Sequence, residues 1–131
     1  MTGQLERIRG FFPVFNERGL EAALPLFDEN VTWMAPPEWM DQPVYCGHQG
    51  LQELYDIWDC NFDDFGLDLE DIQEIGGRVV ALMFLRGRIK GSDQRIDQRA
   101  SWVMDFGPDG LVTHLRAYFS WEEALEAARR D

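Results

Sequence analysis

The chain has 131 residues, 45% hydrophobic and 27% charged, which suits one soluble domain with a real core and leaves too little for two. A formal charge of −12 repels a phosphate backbone and an anionic bilayer, so neither nucleic acid nor a membrane is an expected partner. Aromatic residues make up 13%, with five Trp and nine Phe, more than a minimal core needs and suited to an aromatic-lined cavity or a subunit interface.

Along the chain, Leu5, Ile8, Phe12 and Phe15 recur at helical spacing over residues 4–17. Pro13 is expected to kink or interrupt this helix, and Gly19 to stop it. Leu20, Leu24 and Phe27 share a face over residues 20–29, again with a proline, Pro25, inside. "NVTWMAP" reads as a strand ended by Pro36 and Pro37, followed by a loop that holds Trp39 and Tyr45. "GHQGLQELYDIWDCNF" carries Leu51, Leu54, Tyr55, Trp58 and Phe62 as an apolar helical stripe. After Gly66 the period changes to two, and "LDLEDIQEI" reads as a strand. Three further strands follow, "RVVALMFLRGRIK", "RIDQRASWVMDF" and "LVTHLRAYF", punctuated by the turns "GG", "GSDQ" and "GPDG". Ser120 caps a last helix, with Glu123 three residues on and Arg129 and Arg130 at its negative end. Helices first, then an antiparallel sheet and one closing helix make a single α+β domain over residues 1–131.

The longest apolar run, "VVALMFL", is far shorter than a bilayer span. The charged start lacks an apolar signal core. Cys46 and Cys60 are too few for a disulfide framework and read as reduced thiols, so a cytoplasmic protein is the expectation. With His48 and His114 as the only histidines and no Cys/His cluster, no metal is expected. The acidic stretch "FDDFGLDLEDIQE" lacks calcium-loop spacing, and neither a phosphate loop nor a nucleophile elbow occurs.

The stretches "GLEAALPLFDENVTW", "VYCGHQGLQELYDIW", "GGRVVALMFLRGRIKGS" and "GPDGLVTHLRAYFSWEEALEAA", in that order, resemble the SnoaL-like branch of the nuclear transport factor 2-like superfamily. The resemblance implies a cone-shaped α+β barrel, with the N-terminal helices packed in a strongly curved, mostly antiparallel sheet around a deep pocket. It also implies a homodimer through the outer sheet face. Relatives include ketosteroid isomerase, limonene epoxide hydrolase and polyketide cyclases, alongside non-catalytic binders, so fold alone does not fix function.

Two of these chemistries are disfavoured by the residues present. The three positions that a ketosteroid isomerase needs as base and acidic donors fall at Ala35, Phe12 and Trp102, none of which supplies that proton chemistry. Of the Arg and two Asp of a limonene epoxide hydrolase, Arg86 matches the arginine, while Arg88 and Ala117 stand at the aspartates. Alternation from these positions places Trp33 and Ala35, then Leu82, Phe84, Arg86 and Arg88, then Gln98, Ala100, Trp102 and Met104, then Leu115, Ala117 and Phe119, on the inner face. A one-residue slip would flip any of these sets.

The expected pocket is walled by Trp33, Phe84, Trp102, Leu115 and Phe119, with Phe12 and Trp58 beneath and Tyr45 available as a donor. Arg86, Arg88 and Gln98 are its expected polar groups. The alternative for Arg88 is a salt bridge to Asp97. His48 is the candidate acid or base at the pocket mouth, and Arg86 the candidate stabiliser of a developing oxyanion. His114 is expected to face outward, Asp59 and Asp63 to be solvated, and Tyr55 to be a second donor. The expected activity is binding of a small hydrophobic molecule with a carbonyl or anionic group, or its cofactor-free isomerisation, cyclisation or dehydration. The alternative is a non-catalytic binding or dimerisation module.

Overall fold

The computed structural model describes residues 3–36 and 43–130. Pro37 and Trp39, assigned from the sequence to a strand end and the following loop, lie outside them. Helix α1 (Gly3–Arg18) buries Ile8, Phe11, Phe12 and Phe15 on one face. It runs unbroken through Pro13, against expectation. Pro13 and Arg9 are both exposed, so the Arg9 carbonyl that loses its helical donor is left to water. Gly19, at φ +82°, turns the chain into the short helix α2 (Leu20–Ala23). A 3₁₀ turn at Leu24–Leu26 holds Pro25 near its start, where a missing N–H costs little. The second helix is therefore shorter than its apolar spacing suggested, and Phe27 already belongs to strand β1 (Phe27–Met34).

Tyr45, expected in a loop, lies in a short strand, β2 (Val44–Cys46). Three residues are too few to show alternation. Helix α3 (Gly47–Asn61) follows and buries Gly50, Leu51 and Leu54. Gly50 has a packing reason: a Cβ there would sit 2.9 Å from the Tyr45 carbonyl carbon. Strands β3 (Phe62–Ile75), β4 (Arg78–Ile89), β5 (Arg95–Phe106) and β6 (Val112–Tyr118) form a meander. Helix α4 (Trp121–Arg129) closes the chain, with the Ser120 hydroxyl accepting from the Glu123 N–H at 3.2 Å.

Among the described residues, six strands lie in the order β2-β1-β6-β5-β4-β3. Every neighbouring pair is antiparallel except β1 and β6, which are parallel. Register shifts interrupt β3–β4, β5–β6 and β1–β6, and such bulges bend and twist a sheet. The curved sheet wraps α1 and α3 in an α+β cone. It does not close into a barrel, because β2 and β3 remain as its edges.

The β3 edge is covered in part by a side chain. Asn16 on α1 donates from Nδ2 to the Leu67 carbonyl and accepts from the Leu67 N–H, each at 2.8 Å. It thereby satisfies two backbone groups that point away from β4, as a further strand would.

The core lies between the inner sheet face and α1 and α3. It includes Val31, Trp33, Leu67, Val79, Ala81, Met83, Ala100, Trp102, Met104, Leu115 and Ala117. A second cluster lies on the outer face, where Val80 and Val103 pack under Ala124, Ala127 and Ala128 of α4. Alanines on that side let the helix approach the sheet closely. Among the described residues, no helix is long and apolar enough to cross a membrane.

Candidate functional site

Cross-strand partners in an antiparallel ladder share a face, so the register of β4 and β5 decides what looks inward. Ala81 pairs with Trp102, Met83 with Ala100 and Leu85 with Gln98. Ala81, Met83, Trp102 and Ala100 are all core residues, so this is the inner set. The remaining pairs, Phe84 with Arg99 and Arg86 with Asp97, face the other way. The expected inner set on β4 is thus displaced by one residue. Leu82, Phe84, Arg86 and Arg88 lie on the outer side, and Val79, Ala81, Met83 and Leu85 replace them. On β1, β5 and β6 the expected inner residues are where alternation put them.

The arginines find carboxylates on that outer side. Arg86 donates from Nε to Asp68 at 2.6 Å and from Nη1 to the Asp64 carbonyl at 3.1 Å. Its guanidinium lies across Gly66, where a Cβ would meet it at 2.5 Å. Arg88 pairs with Asp63 at 3.3 Å, not with Asp97. Phe84 carries the Arg99 guanidinium 4.9 Å above its ring. Both faces of "VVALMFL" carry apolar side chains: Val79, Ala81 and Met83 lie in the core, Val80 packs under α4, and Leu82 and Phe84 are half-buried on the outer side. Apolar character therefore did not distinguish them. Since the Arg86–Asp68 pair is substantially exposed, Arg86→Met is expected to change stability by less than about 1 kcal/mol in denaturant titrations. It is expected to leave ligand binding at the cone mouth unchanged.

His48 is also displaced from its expected place. It sits in the first turn of α3, with Nε2 2.8 Å from the Phe27 carbonyl. Trp58, at the mouth, is ten residues further along the same helix, about 15 Å at the rise of an α-helix. His48 instead borders a separate polar cleft of about 410 Å³ together with Asp28, Glu29, Asn30 and Asp109.

Inside the cone the aromatic residues fill the space that the sequence reading assigned to a deep pocket. Phe12 is 2% exposed and stacks on Trp102 with centroids 6.0 Å apart. Phe11 meets Phe12 edge-on at 5.1 Å and Phe15 face-on at 5.4 Å. Trp33 contacts Tyr45 at 5.8 Å and Trp58 at 6.3 Å. Two small cavities remain, of about 30 Å³ and about 20 Å³, both bordered by Trp33, Trp58 and Trp102. Each has room for about one water molecule, far from the roughly 300–1,000 Å³ of a small-molecule site.

A ligand-sized space with a mostly apolar lining lies at the open mouth. A cleft of about 470 Å³ is lined by Trp58, Phe62, Phe65, Leu85, Ile96, Asp97, Gln98 and Phe119. Trp58 comes from the last turns of α3, Phe62 and Phe65 from the start of β3, and Phe119 from just after β6. Trp58 and Phe65 lie 4.9 Å apart, and Phe62 and Phe65 stack at 6.2 Å. Leu85, Trp58 and Phe119 also border the 20 Å³ cavity behind, so the cleft continues the internal space outward. Of the expected ligand-binding residues, Trp58, Gln98 and Phe119 meet here. Trp33, Trp102 and Leu115 line the internal cavities, and Phe12 and Tyr45 belong to the surrounding packing. Phe62, Phe65, Leu85 and Ile96 were not among the expected site residues, although Phe62 had been placed on the α3 stripe.

Tyr55 borders both the 30 Å³ cavity and a polar cleft formed by Asn16, Arg18, Asp59, Asp63 and Lys90. Burial pushes its hydroxyl above the ordinary value of 10.0, and the carboxylates of Asp59 and Asp56 push it the same way. The neutral hydroxyl is thus the favoured native form. A raised native value means that this contribution to stability is complete below about pH 10 and is lost as pH rises through the native value. Tyr55→Phe is expected to lessen the fall in stability above pH 10, measured by urea titration across alkaline pH. Among the described residues, no group of three or more His, Cys, Asp or Glu is placed to hold a metal ion.

Comparison with known proteins agrees with this architecture. Bal32a, from a soil-derived mobile gene cassette, is similar at 21% identity over 97% of this chain and 96% of its own, with a TM-score of 0.77. SalBIII, an epoxide hydrolase/cyclase-like enzyme with a role in pyran ring formation in the polyether salinomycin, is similar at 17% identity over 92% of this chain and 93% of its own, with a TM-score of 0.76. A hypothetical protein of ketosteroid isomerase-like fold from Catenulispora acidiphila, in complex with trimethylamine, is similar at 14% identity over 94% of this chain and 92% of its own, with a TM-score of 0.73. At these identities the likeness carries the fold. Among curated proteins none matches the sequence. The SnoaL-like domain model matches residues 8–115, which is most of the chain and includes the mouth-lining residues other than Phe119. The chain therefore belongs to the SnoaL-like domain family, within the nuclear transport factor 2-like superfamily.

Proposed function

We propose that this chain binds a small apolar molecule at the mouth of its cone, against Trp58, Phe62, Phe65 and Phe119. One observation carries the reading: the 470 Å³ mouth cleft is of ligand size, while the internal cavities hold about 30 and 20 Å³. Four aromatic rings supply apolar area at little entropic cost, because each has two side-chain torsions. The cavity walls behind the cleft consist of Trp, Phe, Leu, Ala, Pro and Tyr. Binding without chemistry is the reading that these residues support best. Trp58→Leu is expected to weaken binding of 2-phenylethanol roughly tenfold, about 1.4 kcal/mol, by titration calorimetry with native circular dichroism as control. Unchanged affinity would remove the mouth from the account.

A catalytic reading, cofactor-free isomerisation, cyclisation or dehydration, has one observation in its favour. Tyr55 stays protonated and reaches both an internal cavity and a polar cleft, as a donor to a ligand carbonyl would. The outer sheet face suits a second copy of the chain. Met34, Leu82 and Phe84 are half-buried there. A homodimer mass in sedimentation, shifted toward monomer by Leu82→Glu, is the expected result.

A further inference from the structure

The β4–β5 register sorts the charges around the mouth. Leu85 pairs with Gln98 and Gly87 with Ile96, and both pairs continue the inner set. Gly87 gives an independent check on the side: a Cβ there would lie 3.3 Å from the Phe62 Cβ, and Phe62 lines the cleft. The alternate pairs, Arg86 with Asp97 and Arg88 with Arg95, face outward. Asp97 therefore borders the cleft as the strand residue between Ile96 and Gln98, with its side chain on the outer side. Arg86 and Arg88 are held on that side by Asp68 and Asp63.

Of the cleft lining, Gln98 is then the polar side chain on the inner side of the hairpin, and it is uncharged. One Nε2 N–H donates to the Arg99 carbonyl at 3.2 Å. The second N–H and Oε1 remain for a ligand. An ion entering the cleft would shed part of its hydration with no opposite charge on the inner side to offset the loss. Aromatic faces attract cations, but here they are partly spent on one another. Phe65 lies 4.9 Å from Trp58 at 32° and 6.2 Å from Phe62 at 29°. An uncharged group with its own donor and acceptor costs less to desolvate, and Gln98 can answer both.

We propose, resting on the mouth-binding reading above, that the mouth selects uncharged ligands and that Gln98 is its specificity-determining residue. The ligand class is an apolar body carrying a donor and an acceptor close together, of which a carboxamide is the simplest. The hydrocarbon lies against Trp58, Phe65 and Phe119, and the polar group meets the Gln98 amide. This replaces the anionic ligand that an inward Arg86 would have selected.

The test is a matched series on one hydrocarbon frame, 3-phenylpropionamide, 3-phenylpropionate and 3-phenylpropylammonium, titrated calorimetrically into the whole chain at pH 7 and 0.15 M salt, where long-range attraction to the acidic chain is screened. The amide is expected to bind roughly tenfold more tightly than either ion. Gln98→Leu is expected to weaken the amide roughly fivefold. Gln98→Glu is expected to tighten the ammonium roughly tenfold over the parent, with native circular dichroism as control for both variants. Either ion binding the parent as tightly as the amide would overturn the uncharged class while preserving the mouth as a binding site. Unchanged amide affinity in Gln98→Leu, or unchanged ammonium affinity in Gln98→Glu, would overturn the role of Gln98. Failure of all three ligands to bind the parent would overturn the mouth-binding reading, and the inference with it.

Discussion

Trp102→Ala is expected to destabilise the chain by about 3–5 kcal/mol. Trp102 is 6% exposed. Its indole lies 5.8 Å from Phe11 and 6.0 Å from Phe12, so truncation removes ring contacts as well as buried area. The loss is also topological. Trp102 borders both internal cavities, of about 30 and 20 Å³, and forms part of the wall between them. Without the indole the two voids merge into one dry apolar chamber, and the neighbouring rings can collapse into it only in part. Such chambers bind small aromatic guests. Added indole is therefore expected to raise the melting temperature of Trp102→Ala and to leave that of the parent unchanged. Thermal and urea unfolding check both effects. A loss below about 1 kcal/mol would mean that the surrounding rings repack freely, contrary to the close packing inferred for the interior.

Asn16→Ala is expected to cost about 2–4 kcal/mol, because it strands two backbone groups at once. The Leu67 N–H and carbonyl both depend on the Asn16 amide, at 2.8 Å each, and Leu67 is 0% exposed. A half-buried amide acting on an edge strand does more than a surface hydrogen bond. It joins α1 to β3 and so fixes the wall that carries Phe65. Asn16→Asp is a sharper test. A carboxylate can accept from the Leu67 N–H but cannot donate to its carbonyl at neutral pH. That variant is expected to fall between parent and alanine, and to recover as pH drops low enough to protonate the new acid. Native-state hydrogen exchange should locate the loss, with the Leu67 amide losing protection first.

Much of the architecture was legible in the sequence because it is local. The Gly-Gly, "GSDQ" and "GPDG" turns placed three hairpins, and Ser120 with Glu123 placed the start of α4. The α3 stripe was equally clear, since Leu51 and Leu54 point one way and the helix has no competing apolar face. The details that failed all depend on tertiary cover. Pro13 does not break α1 because the carbonyl it orphans faces water. The three residues of β2 are a strand only because Tyr45 pairs with Trp33.

The site was less legible for the same reason. A strand that is apolar on both faces offers no alternation from which to read its inner side. Val79 and Val80, Ala81 and Leu82 are about equally apolar, so the expected register of β4 rests on the resemblance at Arg86 and differs by one residue from the observed one. The consequence is chemical, because it moves both arginines from the inner face to the outer one. The aromatic excess was read as lining for a cavity, but most of those rings pack against one another. The four that line the mouth could not be separated from the rest by spacing alone, because they come from α3, β3 and the residue after β6.

The central claim is that ligands meet this chain at the open mouth of the cone, not in its interior and not on the arginine-bearing outer face. A backbone amide chemical-shift map with a neutral apolar probe, 2-phenylethanol, tests it most directly, since a neutral probe separates location from charge preference. Saturating perturbations are expected to concentrate on Trp58, Phe62, Phe65, Leu85, Gln98 and Phe119. Perturbations centred on Phe84, Arg86 and Arg99, with the mouth silent, would contradict it.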